Sequence, residues 1–193
     1  MTSVFLELKV DDALLKRAKN GQTAAFGTLY DMFSRPIYNL AYRMVQNREV
    51  AEEVLQETFV DVMRKLGGFR GDAPFGAWVR RIAINRTLMY LRSAWNRYSQ
   101  PMEGGALEAA YDARQSHSGD HHTVVDIDTA LGKLTEVPRT VVWLHDVEGY
   151  THQEIGELMG KSASFSKSQL ARAYKRLREL TDSSRESGTC MHQ

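Results

Sequence analysis

Three groups of residues in this chain have types and spacing that could do chemistry. The first is a run of carboxylates and amides inside REVAEEVLQETFVDVMRKLGGF, with Glu52, Glu53, Gln56, Glu57 and Asp61 spread along one segment. The second follows at once. FRGDAPFGAWVRRIAIN opens a region in which Trp78 to Tyr98 holds five arginines, three further tryptophan or tyrosine rings and no acid. Arginines hold phosphates and rings stack on unpaired bases, so this composition suits an opened nucleic-acid strand. The third group is the basic segment ASFSKSQLARAYKRLREL near the C-terminus. Its amide and guanidinium groups match base edges, and its lysines match phosphates.

None of these has the form of a catalytic centre. The stretch GDHHTVVDID offers His121, His122, Asp126 and Asp128 as ligands for a divalent metal. No nucleophile or phosphate-binding glycine motif accompanies it, and the two aspartates fit the wet face of a short helix equally well. Cys190 with His192 reads as part of a tail. The expectation is a protein that is not an enzyme, with no catalytic residue, metal or cofactor.

The elements that must position the three groups follow from bulk properties and periodicity. At 193 residues and 42% hydrophobic, the chain can bury one large core or two small ones. Its 25 basic and 24 acidic residues give a net charge of +1, so total charge favours no polyanion and only a local asymmetry can. With Cys190 the sole cysteine, an intrachain disulfide is excluded. No signal-peptide pattern and no run of 18 apolar residues is present, so a cytoplasmic protein with no membrane partner is expected.

Phe26, Leu29, Tyr30, Phe33, Ile37, Leu40, Ala41 and Met44 recur at three- and four-residue steps, the pattern of one buried helix face, with Pro36 able to kink it. Val50, Val54, Leu55, Phe59, Val62 and Leu66 mark a second helix that stops at Gly67 and Gly68. A third runs from Trp78, and a short one over DDALLKRAKNG precedes them. Together they predict a helical bundle over 11–96.

Residues 97–123 mix Gly, Ser, His and charge without an apolar stripe, which predicts a flexible linker. Periodicity resumes at Val124, Ile127, Leu131 and Leu134, then in a segment opened by Pro138 and in THQEIGELMG. Thr151 and Glu154 are spaced as a capping box. THQEIGELMGKSASFSKSQLARAYKRLREL has the form of a helix-turn-helix. The fold expected is all-α: two small helical domains, 11–96 and 124–181, with a tail at 182–193.

At about 100° per residue the last helix sorts into two sides. Ser166, Leu170, Ala173, Tyr174 and Leu177 face the core. Ser164, Phe165, Ser168, Gln169, Arg172, Lys175 and Arg176 face outward. Gln169 suits adenine, Arg172 guanine or phosphate, and Phe165 a thymine methyl; Lys167, Lys175 and Arg176 suit phosphates. In the middle segment, Trp78, Arg81, Asn85, Met89 and Arg92 form one stripe. The loop RGDAPFG, with Gly71, Pro74 and Gly76, has the backbone freedom to shape a pocket for one extruded base. A solvated basic helix, tryptophans packed in a core and carboxylates on a wet face are the alternatives for the same residues.

AEEVLQETFVDVMRKLGGFRGDAPFGAWVRRIAINRTLMYLR closely resembles region 2 of bacterial sigma factors of the extracytoplasmic-function group, in the sigma-70 family. LTEVPRTVVWLHDVEGYTHQEIGELMGKSASFSKSQLARAYKRLREL resembles their region 4, in the right order. The resemblance implies a transcription initiation factor that binds core RNA polymerase and promoter DNA and is regulated by an anti-sigma factor or another protein. It implies that Glu52, Glu53, Gln56, Glu57 and Asp61 face the polymerase clamp helices. Arg70, Gly71, Asp72, Ala73, Pro74, Phe75, Trp78, Arg81, Asn85 and Arg92 would open the −10 element and hold its non-template strand. Ser164, Phe165, Lys167, Ser168, Gln169, Arg172, Lys175 and Arg176 would read the −35 element. Gln169 stands where the family commonly carries a basic residue, and Ser164 to Ser166 differ from the usual helix start. The competing reading, a helix-turn-helix regulator of duplex operators, gives the RGDAPFG loop no role.

Overall fold

The apolar stripes fold as helices in the computed structural model, which describes the backbone of residues 4–98 and 127–189 and the side-chain surroundings of 4–93 and 129–180. Every regular element among the described residues is helical. The linker from residue 99 onward, with His121, His122 and Asp126, lies outside them. The chain divides into two units, Met1–Leu91 and Arg92–Gln193.

The first unit contains α1 (Val4–Glu7), α2 (Asp12–Lys19), α3 (Thr23–Val45), α4 (Arg48–Lys65) and most of α5 (Phe75–Tyr98). The Asp11 side chain caps α2 by accepting from the Ala13 N–H at 2.9 Å. Helix α3 is continuous across Pro36. It stops at Gln46, which takes a left-handed φ of 54° and donates its N–H to the Tyr42 carbonyl. Asn47 then caps α4, its side chain accepting from the Val50 N–H at 3.1 Å. Two residues thus reverse the chain, and α3 and α4 pack as a helical hairpin.

The hairpin buries Leu29, Phe33, Ile37, Leu40 and Met44 from α3 with Val54 and Val62 from α4, and α5 adds Val79, Ile84 and Leu88. Each such side chain contributes about 1.5–3 kcal/mol when fully buried. Tyr30 departs from the expected stripe: it is 44% exposed, its ring leaning on Phe59 at 4.7 Å.

Helix α5 begins at Phe75, three residues earlier than the stripe from Trp78 predicts, and takes two residues from the expected loop. Phe75 is buried, with its ring edge-on to Phe33 at 5.6 Å and to Phe69 at 5.4 Å. It is a core residue and does not line an open loop. Gly76 is likewise not a hinge. A Cβ there would lie 1.8 Å from the Phe5 carbonyl oxygen, so glycine is what lets α1 cross the start of α5.

The second unit contains α6 (Ile127–Gly132), α7 (Glu136–Val142), a wide π turn at Trp143–Val147, α8 (His152–Met159) and α9 (Ala163–Thr189). The capping box at α8 is present: Glu154 N–H donates to the Thr151 hydroxyl, and the Glu154 carboxylate accepts from Thr151 N–H at 2.8 Å. Gly160 ends α8 at φ 66°. Helix α9 packs on α7 and α8, burying Leu170 and Ala173 alongside Val141, Leu144, Ile155 and Met159. Buried Arg139 donates to the Leu134 carbonyl at 2.8 Å.

Tyr174 does not join that core as its wheel position suggests. It is 39% exposed, and its hydroxyl bonds to Asp146 at 2.8 Å. Helix α9 runs on to Thr189, past the expected start of a tail at 182, while Cys190 and His192 lie outside the described residues.

Candidate nucleic-acid interface

Four residues of the carboxylate run, Glu52, Glu53, Gln56 and Glu57, stand exposed on the outer face of α4. Asp61 does not. It is buried, and Arg86 of α5 forks onto it, Nε donating to Oδ2 at 2.7 Å and a terminal nitrogen lying 2.7 Å from Oδ1. Arg86 also reaches Glu57 at 3.2 Å, and Lys65 reaches Asp61 at 3.2 Å. The Arg86 hydrogen bond holds the Asp61 carboxyl below its ordinary range, outweighing burial, with Lys65 adding to it. The guanidinium in turn is raised by Asp61. Asp61 therefore leaves the surface set, because a carboxylate turned inward needs a partner and α5 supplies one.

Between α4 and α5, residues Arg70, Gly71, Asp72, Ala73 and Pro74 are all exposed. Gly71 takes a φ of 84° and Arg70 pairs with Asp72 at 3.2 Å, a contact too exposed to fix the loop. The anchors are at its ends. Phe69 closes onto Leu66 through its N–H at 3.0 Å, and the Pro74 carbonyl accepts from Trp78 N–H at 3.2 Å.

Beyond the loop, α5 presents Trp78, Arg81, Asn85, Met89 and Arg92 at successive three- and four-residue steps. Arg81, Met89 and Arg92 are exposed; Trp78 and Asn85 are half-buried. Trp78 is steadied by Phe69 at 5.1 Å and Phe75 at 5.5 Å, leaving part of its ring outside. A part-buried ring beside exposed guanidinium groups and a half-buried amide has the chemistry to stack on a base and hold a phosphate.

On α9, Ser164, Lys167, Ser168, Arg172, Lys175 and Arg176 are exposed, and Phe165 is half-buried. Arg176 pairs with Glu179 at 3.1 Å. Gln169 is a correction: it is 3% exposed, under the helix instead of on its outer face. Its wheel position is only about 60° from buried Ser166, close enough for the core to claim it.

Several residues escaped the sequence reading. Arg86 looked like one arginine among five, and nothing local marks its partner 25 positions earlier. In the second unit the His145 and His152 rings stack at 4.5 Å, His145 bonds Asp146 at 2.7 Å, and His152 Nδ1 lies 3.0 Å from the Ser166 hydroxyl. The π turn that brings His145 over His152 has no simple sequence signature. Among the described residues no group of His, Cys, Asp or Glu is arranged to hold a metal.

Comparison with known proteins follows the same division. The Sigma-70 region 2 family matches residues 29–97 and Sigma-70 region 4 matches 125–177. RNA polymerase sigma-H factor of Pseudomonas aeruginosa is 30% identical over 185 residues, covering 88% of this chain and 92% of that protein. The chain belongs to the extracytoplasmic-function group of the sigma-70 family.

This sigma factor is also 31% identical over 168 residues to RNA polymerase sigma factor CarQ of Myxococcus xanthus, covering 86% of the chain and 94% of CarQ. Among solved structures it is similar to the sigma factor RpoE of Bartonella quintana, crystallised with the anti-sigma factor NepR, at 20% identity and a TM-score of 0.49 over 81% of this chain and 96% of that one. The region 2 match spans the acidic helix, the loop and the arginine-rich helix of this sigma factor. An ordinary duplex-operator regulator is therefore not favoured. No helix among its described residues is long and apolar enough to cross a membrane.

Proposed function

We propose that this sigma factor, a promoter-directing initiation factor, divides its work among three surfaces. The exposed carboxylates and amide of α4, Glu52, Glu53, Gln56 and Glu57, dock on the clamp helices of core RNA polymerase. The 70–74 loop and the Trp78, Arg81, Asn85 and Arg92 stripe capture the non-template strand of the −10 element. The outer face of α9, with Ser164, Lys167, Ser168, Arg172, Lys175 and Arg176, holds the −35 duplex. Phe165 lies at its margin. Domain limits of 11–96 and 124–181 belong to the same proposal.

The observation that carries the reading is the change of chemistry across one exposed loop. Acids stand on α4 before it, and an acid-free stripe of arginine, amide and ring stands on α5 after it. Like charge on α5 would repel a phosphate backbone, and the absence of acids there removes that cost. Opening the duplex calls for no catalytic group. Unpairing and unstacking a base costs a few kcal/mol, which stacking on an aromatic platform and contacts from polymerase offset.

The chain performs no covalent chemistry in this proposal, and it works in the cytoplasm, where polymerase and DNA are. A regulatory partner of the anti-sigma kind belongs to the reading through the family resemblance. Run-off transcription with core polymerase over a pooled promoter library tests it: the chain should select templates sharing two spaced elements. Random selection, or transcription no higher than with core alone, contradicts it.

A further inference from the structure

Lys19 is the last residue of α2 and lies 50 positions before the residue it holds. Its ammonium donates to the Phe69 carbonyl at 2.6 Å and sits 5.7 Å from the centre of the Phe69 ring. The same ring leans on Trp78 at 5.1 Å and meets Phe75 edge-on at 5.4 Å. One exposed cation therefore grips both the backbone and the side chain of the residue that opens the loop, and that residue braces the ring of the strand-facing stripe.

We propose that Lys19 is a positioning residue for single-strand capture, setting where the 70–74 loop leaves the bundle and how far Trp78 projects. The inference rests on the strand-capture reading above. Within the loop itself Arg70 pairs with Asp72, an exposed contact that ties residues 70–74 to nothing outside them. The entry to the loop is thus fixed by the Leu66 turn and by Lys19. A cation–π contact near 6 Å and a charged hydrogen bond at an exposed site are individually modest. Directed at one ring, they decide its orientation more than the stability of the bundle.

The test uses holoenzyme assembled from core polymerase and the full chain, on a promoter recovered from the library. Lys19→Met keeps the aliphatic stem and removes the charge. Lys19→Arg keeps a donor and a cation, and Trp78→Ala removes the platform. Open-complex lifetime should fall about threefold to tenfold in Lys19→Met, the scale of one such exposed pair of contacts. Permanganate reactivity of −10 thymines should fall with it, and Lys19→Arg should recover most of both. Polymerase affinity, melting temperature and the salt dependence of promoter binding should stay at wild-type values.

A shallower salt dependence in Lys19→Met overturns the inference, because it makes Lys19 a phosphate contact. An unchanged lifetime in Lys19→Met beside a collapsed one in Trp78→Ala also overturns it while sparing the strand-capture reading. Unchanged lifetimes in both variants overturn that reading, and the inference with it.

Discussion

Arg86 of α5 closes a two-pronged ion pair on Asp61 of α4, both nitrogen to oxygen distances being 2.7 Å, and the same guanidinium reaches Glu57 at 3.2 Å. This pairing ties the acidic helix α4 to the arginine-rich helix α5 from the inside. The residue that looked most like an end to the acidic surface is its anchor to the rest of the bundle.

Removing Asp61 leaves the half-buried Arg86 guanidinium with only its longer contact to Glu57. Asp61→Ala should cost about 2–4 kcal/mol of stability in the first unit, at or just below the usual range for a broken buried pair because Arg86 keeps some solvent. Arg86→Lys should recover only part of the stability, since an ammonium cannot reproduce the fork. Urea denaturation of the full chain measures both. A loss under about 0.5 kcal/mol, the scale of an exposed pair, would place the interaction at the surface.

Gly76 should tolerate no side chain while α1 lies across it. Gly76→Ala puts a Cβ 1.8 Å from the Phe5 carbonyl oxygen, so α1 must move away. The expected result is a melting temperature several degrees lower, of the order produced by about 1–3 kcal/mol of overpacking. In a chain lacking residues 1–7 the same substitution should cost much less. An equal cost in both backgrounds would assign the effect to the helix itself.

Gln169 and Arg172 should separate stability from promoter recognition. Gln169 is buried, so Gln169→Ala should lower the melting temperature and leave the preferred −35 sequence unchanged. Arg172 is exposed, so Arg172→Ala should weaken transcription about tenfold from a promoter with a −35 element, without changing polymerase binding. Transcription from the promoter pool, read by sequencing, checks both. A changed −35 preference in Gln169→Ala would return that side chain to the DNA face.

Stability of the second unit should fall on mild acidification. Burial holds His152 below its ordinary value of 6.5, His145 and Lys167 add to this by like charge, and Asp146 opposes it. The unfolded chain then binds the proton first. The contribution is complete above about pH 6.5 and declines as pH falls through the lower folded value. Melting curves between pH 7.5 and 5.5 should show the decline, and His152→Gln should flatten it. An unaltered slope in His152→Gln would assign the decline to other groups.

Much of the fold was legible because each helix carries its own period. The Leu29 to Met44 stripe, the capping box of Thr151 and Glu154 and the turn at Gly160 are local patterns, and local patterns survive folding. What was not legible depends on contacts between helices. Asp61 and Gln169 sit near the edge of an apolar sector, where a partner on another helix decides between water and core. Phe75 and Gly76 read as loop because proline precedes them, yet α1 and Phe33 draw both into the first turn of α5. Lys19 and Phe69 are joined only by the closure of the bundle.

The most direct measurement is permanganate reactivity of −10 thymines on a library-selected promoter, with core polymerase alone, this chain alone and the two together. Reactive thymines should appear only when both are present, and Arg81→Ala combined with Asn85→Ala should reduce them while polymerase affinity holds. A footprint on closed duplex from the chain alone, with no reactive thymine after core polymerase is added, would contradict the account.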